Sequence, residues 1–166
     1  RCITQAMNRS SEMATEIERK YLVVGNDWRH LGAATEFRQG YLSTVKERTV
    51  RVRVIGNRGF LAVKGITVGA TRTEFEYEIP VDDAHLMLAE LCEQPIIEKN
   101  RYVVDSAGVT WEVDEFLGVN AGLVVAEVEL EDVDSEIDLP GWIGEEVTAD
   151  PRYFNSNLVA RPYSTW

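Results

Sequence analysis

Short stretches in which charged and apolar residues alternate recur along most of this chain. Arg51-Val52-Arg53, Glu76-Tyr77-Glu78 and Glu127-Val128-Glu129 each place two like charges around one apolar residue. Successive side chains of a β-strand point to opposite faces, so each stretch carries its charges on one face and its apolar residue on the other. A chain made of such segments is expected to form a sheet with one charged face and one apolar face.

The alternation and the turn residues between the segments predict eight strands and a few helices. The strands are expected over residues 16–24, 35–42, 47–55, 60–64, 72–81, 97–105, 109–117 and 123–131. Gly40 inside the second strand suggests a bulge or a close backbone approach. A helix is expected over 84–93, with Asp82-Asp83 as its N-terminal cap, and short helices over 142–147 and 153–160.

Composition narrows the class of protein. A chain of 166 residues is most simply one domain with a sizeable core. Its formal net charge of -11 argues against sequence-independent nucleic-acid binding, which needs a basic surface. Two cysteines form no disulfide framework, and we find no membrane-spanning run and no signal peptide, so a cytoplasmic protein without a membrane partner is expected. Residues 1–12 are interpreted as an N-terminal extension or expression remnant, and 13–166 as the single domain.

Two arrangements fit the charged faces. On a flat sheet they would form cross-strand salt bridges in solvent, whereas in a closed barrel they would line a lumen while helices cover the apolar outside. Like charges grouped within one strand favour the barrel, because strands built for mutual pairing would mix signs. The aligned carboxylates are Glu16, Glu18, Glu76, Glu78, Asp114, Glu127 and Glu129. The aligned cations are Lys20, Arg51, Arg53, Lys64, Lys99 and Arg101.

These two sets of side chains suit a polyphosphate and a divalent metal. Lysine and arginine bind phosphate through charge-assisted hydrogen bonds, and arginine can do so with two parallel bonds. Carboxylate oxygens bind Mg²⁺ or Mn²⁺, which in turn bridge phosphate oxygens. His30 and His85 lie off the charged strand faces and are interpreted as surface or helix residues, so no histidine nucleophile is expected.

The stretch Glu16-Ile17-Glu18-Arg19-Lys20 resembles the E-x-E-x-K signature of the CYTH superfamily, the triphosphate tunnel metalloenzymes. The resemblance extends to about residue 159 and is closest to the short bacterial inorganic triphosphatases. Its other motifs are Arg38-Gln39-Gly40-Tyr41-Leu42, Arg51/Arg53, Lys64, Glu76/Glu78, Glu98-Lys99-Asn100-Arg101-Tyr102, Asp114, Glu127/Glu129 and Gly144-Glu145-Glu146-Val147-Thr148 with Arg152-Tyr153. It implies an α+β fold with a closed eight-stranded antiparallel tunnel, flanking helices, and hydrolysis of a triphosphate with one or two Mg²⁺ or Mn²⁺ ions.

The resemblance also implies roles for individual residues. The triphosphate would be bound by Lys20, Arg51, Arg53, Lys64, Lys99, Arg101 and Arg152. The metal would be held by Glu16, Glu18, Glu76, Glu78, Asp114, Glu127 and Glu129. The catalytic group would comprise Glu16, Glu18, Lys20, Glu127 and Glu129.

The substrate is not determined by the resemblance. Inorganic triphosphate, cleaved to pyrophosphate and orthophosphate, is the expected small-molecule substrate. A class IV adenylate cyclase and a thiamine triphosphatase are alternatives from the same superfamily, and a non-catalytic polyphosphate- or nucleotide-binding module is the alternative from another class. The oligomeric state is left open, with a homodimer as one option.

Overall fold

The computed structural model describes residues 17–68, 71–132 and 134–166. It contains nine strands, two α-helices and three short 3-10 helices. The strands are β1 (Ile17–Val23), β2 (Ala34–Ser43), β3 (Arg48–Ile55), β4 (Arg58–Val68), β5 (Thr71–Ile79), β6 (Ile97–Ser106), β7 (Val109–Phe116), β8 (Val124–Leu130) and β9 (Ile143–Glu146). The α-helices are α1 (Val81–Glu90) and α2 (Asn155–Ala160), and the 3-10 helices are Gly118–Asn120, Pro151–Tyr153 and Tyr163–Thr165.

All nine strands belong to one antiparallel sheet, in the order β5-β4-β3-β2-β6-β7-β8-β1-β9. The eight predicted strands are confirmed as β1 to β8. The short helix predicted over 142–147 is wrong, because this segment forms β9 and pairs with the free edge of β1, Val23 opposite Ile143. The backbone hydrogen bonds offered by that edge outweigh the local helical preference. The predicted α+β class, an antiparallel sheet with few helices, is confirmed; the described strand pairings do not join β5 to β9, and closure of the barrel stays a prediction.

One half of the apolar face is covered by α1. Val52 and Val54 of β3 pack against Ala84, Leu88 and Cys92, and all five are buried. The helix begins at Val81, three residues before the predicted start, and Pro80 occupies the N-cap position without a side-chain cap bond. The predicted Asp82-Asp83 cap is therefore wrong. Both aspartates lie in the first turn, where their negative charges interact favourably with the helix dipole.

The other half of the apolar face is covered by loops rather than helices. Trp28 and Trp142, from the segments before β2 and β9, close a core that includes Trp111 and Val128. The expectation that helices cover the whole outside is thus wrong over this half. It is also wrong at β5, where Phe75 and Tyr77 are more than half exposed; Val52, Val54 and Val128 are buried as expected.

The sheet curls around α2 on its charged side. Leu158 and Val159 of α2 lie in one apolar cluster with Ile97, Phe116 and Val125, which come from β6, β7 and β8. Leu22 of β1 and Tyr41 of β2 reach the same cluster. Side chains from five neighbouring strands can meet one short helix only if the sheet is concave on this side. The charged face is therefore the inner face, as expected for a tunnel.

Among the described residues, no helix combines the length and the apolar character that crossing a membrane requires.

Candidate active site

The strand register brings the predicted charges together on the inner face. Lys20 of β1 stands opposite Glu127 of β8, and Glu18 stands opposite Glu129. Arg101 of β6 stands opposite Asp114 of β7. Period-2 alternation predicts which face each side chain takes, and the antiparallel register then decides which charges become neighbours.

The centre of the face is a buried ion-pair network made of Lys20, Lys99, Arg101, Asp114 and Glu127. Lys99 and Asp114 are 2% and 1% exposed and bond each other directly. Arg101 bonds Asp114 at 2.7 Å and reaches Glu127 at 3.3 Å. Lys20 bonds Glu127 and lies 2.8 Å from Glu18. Because buried charges are costly unless paired, the network is a unit in which each member depends on the others.

The network shifts the pKa of four of its members, Asp114 and Lys20 among them. Burial would raise the pKa of the Asp114 carboxyl, but the charges and hydrogen bonds of Lys99 and Arg101 outweigh it and hold that pKa below its usual range. Burial likewise disfavours the charged form of Lys20, but Glu127 and Glu18 outweigh it and raise the pKa of the ammonium group. Asp114 is therefore ionised and paired with the side chains of Lys99 and Arg101, whereas the resemblance implied a metal ligand at this position.

An acidic cavity of about 560 Å³ opens at one end of the network. No lysine or arginine is among the described residues that line it. Its carboxylates are Glu18, Glu112, Glu127, Glu129, Glu131 and Glu136. Glu18 and Glu129 face each other directly across two strands, and Glu112 faces Glu127 in the same way. Directly opposed like charges repel, so a cation bound in the cavity would relieve this repulsion.

The residues of the acidic cavity fit a divalent metal in their chemistry. Glutamate oxygens are the hard donors that Mg²⁺ and Mn²⁺ prefer, and Glu129 has no cationic partner among the described residues. Within those residues, no group of three histidine, cysteine, aspartate or glutamate side chains is already gathered as a metal cluster. Glu16, the first carboxylate of the predicted set, lies outside the described residues.

A basic cluster occupies the neighbouring strands β3 and β4. Arg51 and Arg53 share one carboxylate, Glu76, at 3.6 and 3.0 Å, while Lys64 pairs with Glu74 at 2.9 Å. Burial and the adjacent Arg51 guanidinium lower the pKa of Arg53 from its usual value. Two guanidinium groups with one shared carboxylate leave positive charge unbalanced, and such a patch favours an anion.

The basic cluster borders a second cavity of about 870 Å³, which we call the basic cavity. Lys46, Arg51 and Lys64 supply its positive charge. Ser156 and Asn157 of α2 line its opposite side. The inner face thus has an acidic cavity on one side of the buried network and a basic cavity on the other.

The structure separates several predicted residues from these groups. Glu76 is engaged by Arg51 and Arg53, and Glu78 pairs with Arg58 at an exposed position. Neither carboxylate is among the residues of the acidic cavity. Arg152 pairs with Asp150 at 2.6 Å and stacks over Trp166 at 5.3 Å, and neither contact joins it to the basic cluster.

Several charged residues that line the two cavities were not predicted from the sequence, Glu112 and Lys46 among them. Glu112 lines the acidic cavity and bonds Arg101, and its position two residues before Asp114 on a predicted strand would have identified it. Lys46 lines the basic cavity from the turn between β2 and β3, where no periodicity marks it. Gly40, by contrast, makes the expected close approach, because a β-carbon added there would lie 2.8 Å from Cβ of Cys92.

Comparison with known proteins identifies relatives of this chain. The family described as CYTH domain matches residues 14–163. The chain is 52% identical to an inorganic triphosphatase of Acetivibrio thermocellus, over 93% of this chain and 99% of that protein. It is 38% identical to an inorganic triphosphatase of Nitrosomonas europaea, over 87% and 97% of the two chains. A crystal structure of the inorganic triphosphatase NE1496 is similar, with a TM-score of 0.71 and 36% identity, covering 89% of this chain and 95% of that one.

Proposed function

Because the chain belongs to the CYTH domain family, we propose that it hydrolyses inorganic triphosphate to pyrophosphate and orthophosphate with the help of a divalent cation. In this reaction, water adds to a terminal phosphorus and the bond from that phosphorus to the bridging oxygen breaks. Two observations carry the proposal. Arg51 and Arg53 of the basic cluster share a single carboxylate, and no lysine or arginine is among the described residues that line the acidic cavity. The substrate would balance the positive charge of the basic cluster, and the metal would balance the negative charge of the acidic cavity.

The basic cluster would hold the phosphates. Arg51, Arg53 and Lys64 face the inner side and are 17–22% exposed, so their heads can reach a ligand while their stems stay packed. Lys46 adds a cation at the basic cavity. Lys20 and Arg101, at 14% exposed, lie between the two cavities and would meet the end of the phosphate chain nearer the carboxylates. Lys99 is sealed against Asp114 and would act by holding the network in place.

Glu18, Glu127 and Glu129 would hold the metal, with Glu112 as a further carboxylate of the same cavity. The metal-binding role of Glu16, implied by the resemblance, stays a prediction. A bound Mg²⁺ or Mn²⁺ polarises phosphoryl oxygens and lowers the pKa of coordinated water. The carboxylates would also accept hydrogen bonds from water and hold it close to the phosphorus. Lys20, bonded to both Glu18 and Glu127, would fix their orientation.

No covalent nucleophile is required. Phosphoryl transfer depends mainly on positioning and on neutralisation of charge. Cys92 is buried under α1 on the outer face, and burial raises the pKa of its thiol to about 11, so it is protonated at neutral pH.

A product assay tests the reaction and its alternatives together. The protein is incubated with Mg²⁺ or Mn²⁺ and inorganic triphosphate, ATP or thiamine triphosphate, and orthophosphate, pyrophosphate and cyclic AMP are measured. We expect rapid release of orthophosphate and pyrophosphate from triphosphate, much slower turnover of the two larger substrates, and no cyclic AMP. Cyclic AMP formed at a comparable rate would support the cyclase, preferential cleavage of thiamine triphosphate the thiamine triphosphatase, and binding without turnover the non-catalytic module.

The basic cluster is tested by Arg53→Ala. Removing one charge-assisted contact should lower kcat/KM about 10- to 100-fold. Arg48→Ala is the matched control, since Arg48 is exposed on the same strand and its register places it on the outer face. Equal activities of the two variants would contradict the assigned role of the cluster.

Three points stay predictions: the preference between Mg²⁺ and Mn²⁺, a homodimer, and a cytoplasmic location. The substrate-binding role of Arg152 and the metal-binding roles of Glu76, Glu78 and Asp114 also stay predictions, although other partners occupy these side chains in the structure.

A further inference from the structure

Gln39 is a buried polar side chain without an assigned role. It is 2% exposed, and its Nε2 amide nitrogen has no hydrogen-bond partner among the described residues. A buried donor left unpaired costs free energy, because it has given up its hydrogen bond to water and gained none in return. Buried glutamines that serve only structure are normally hydrogen-bonded within the protein.

The register places Gln39 in the middle of the inner face. It stands opposite Arg53 on β3 and opposite Ile97 on β6. Its neighbours on the same face of β2 are Phe37 and Tyr41. The phenyl ring of Phe37 in turn lies under the guanidinium groups of Arg53 and Arg101, at 6.0 and 5.1 Å. Gln39 thus lies among the cations proposed to hold the substrate.

Two of those cations carry unpaired donors as well. Nε of Arg51 and Nε of Arg53 are buried and have no partner among the described residues, although both guanidinium groups reach Glu76 through Nη2. Three unpaired N–H donors are therefore grouped on two adjacent strands of one face. A ligand that offers several acceptor oxygens and no donors would satisfy them together, and a fully ionised phosphate chain is such a ligand.

We propose that Gln39 binds the substrate directly, donating a hydrogen bond from Nε2 to a phosphate oxygen beside Arg53. The inference rests on the proposed function, because it takes triphosphate as the ligand. A neutral amide suits this position. Burial and the nearby Arg51 already lower the pKa of Arg53, so a third cation would add repulsion in the ligand-free protein, whereas an amide adds a donor without adding charge.

The test is Gln39→Met, which keeps the length of the buried side chain and removes the donor. The dissociation constant for triphosphate is measured by calorimetry in EDTA, the melting temperature is measured without ligand, and kcat and KM are measured with Mg²⁺. We expect binding to weaken about 10- to 100-fold, because the lost bond goes to a charged acceptor. The melting temperature of the ligand-free variant should equal or exceed that of the wild type, since an unpaired buried donor has been removed.

Arg38→Met is the matched control. Arg38 is the preceding residue on β2, lies on the opposite face and pairs with Glu98 at 3.2 Å. The Arg38→Met variant should bind triphosphate with the same affinity as the wild type. A Gln39→Met protein that binds like this control, or that melts well below the wild type with unchanged affinity, would overturn the proposal and make Gln39 a structural residue.

Gln39→Glu keeps the proposal testable if the methionine variant does not fold. The carboxylate has nearly the same shape, accepts hydrogen bonds instead of donating them, and can pair with Arg53, so stability should be kept while affinity falls more than 10-fold. Unchanged affinity in this variant would overturn the proposal. The wild-type measurements are read first: a wild type that neither binds triphosphate in EDTA nor hydrolyses it with Mg²⁺ refutes the proposed function and this inference together, whereas wild-type binding with unaffected Gln39 variants refutes this inference alone.

Discussion

Asp114 and Glu129 lie on neighbouring strands of the same charged face, but their surroundings differ. Asp114 is sealed between Lys99 and Arg101. Glu129 is exposed in the acidic cavity and faces another carboxylate, Glu18. Two carboxylates that look alike in the strand pattern therefore have opposite effects on stability, and each effect can be measured.

Asp114→Asn is expected to destabilise the protein strongly. It removes the counter-charge of a fully buried ammonium group, and breaking a buried ion pair typically costs about 3–5 kcal/mol. The free energy of unfolding is measured by urea denaturation. Asp105→Asn is the control, because Asp105 is an exposed carboxylate of the preceding strand, and it should change the free energy of unfolding by less than about 1 kcal/mol. Similar losses in both variants would contradict the importance of the buried pair.

The same pair predicts a dependence on pH. The pKa of Asp114 is lower in the folded protein than in the unfolded chain, whose aspartates titrate near pH 4. Its contribution is therefore complete above about pH 4 and is lost as the pH falls through the folded pKa. The difference in unfolding free energy between wild type and Asp114→Asn should shrink from pH 5 to pH 3. A constant difference would show that folding does not lower the pKa of Asp114.

Glu129→Gln should separate activity from stability. Removing one of two opposed carboxylates relieves repulsion, so the metal-free protein should hold its stability or gain up to about 1 kcal/mol. Activity with Mg²⁺ should fall by about 100-fold or more, because a proposed metal ligand is lost. Thermal unfolding in EDTA and a triphosphatase assay measure the two effects. Glu90→Gln, at an exposed site on α1, should change neither; a Glu129→Gln protein that unfolds would support a structural role instead.

At the scale of elements, α1 is held by close packing on β3 and β4. A β-carbon added at Gly59 of β4 would lie 2.8 Å from Cβ of Ala84, so the helix backbone sits directly on the strand. Leu88 is 2% exposed in this contact, whereas Leu86 on the same helix is 56% exposed. The helix has no side-chain N-cap bond, and its stability must come mainly from this packing.

Leu88→Ala should therefore lower the free energy of unfolding by about 2–5 kcal/mol, as for other buried leucines replaced by alanine. Leu86→Ala makes the same chemical change at an exposed site and should cost less than about 0.5 kcal/mol. Urea denaturation of both variants gives the comparison. Equal effects would mean that α1 is not docked on the sheet in solution.

At the scale of the whole molecule, the proposed substrate is a polyanion although the chain's own formal net charge is -11. The structure reconciles the two by separating charge, with the basic cluster on β3 and β4 and the acidic cavity beyond the buried network. Long-range repulsion of the substrate is screened by physiological salt over about 8 Å, while local pairs in the tunnel are screened much less. Affinity should thus depend on the inner face rather than on net charge.

Triphosphate should consequently stabilise the fold even without metal. A ligand that binds only the folded state at about 100 times its dissociation constant adds about 2.7 kcal/mol to the unfolding free energy. Melting curves in EDTA with triphosphate should therefore shift upward, and ATP at the same concentration should shift them less, because its base and ribose offer no charge to the basic cluster. An equal or larger shift with ATP would point to a nucleotide as the natural ligand.

Local sequence determined the strands, their faces and the main helix. Period-2 alternation is a property of a few neighbouring residues, so it could assign Arg51, Arg53 and Glu127 to one face and Val52 and Val128 to the other. Several residues assigned to the charged face line the cavities or form the buried network, whereas Glu76 and Glu78 pair with arginines and belong to neither group.

Tertiary structure alone decided which of those charged side chains pair with each other. Strand order places β6 beside β7, and this makes Asp114 the partner of Lys99, while β1 beside β8 leaves Glu129 facing Glu18. It also drew 143–146 into the sheet, placed Trp28 and Trp142 over the outer face, and left Phe75 exposed. Each of these depends on contacts between residues far apart in the chain, whose free energy local periodicity does not contain.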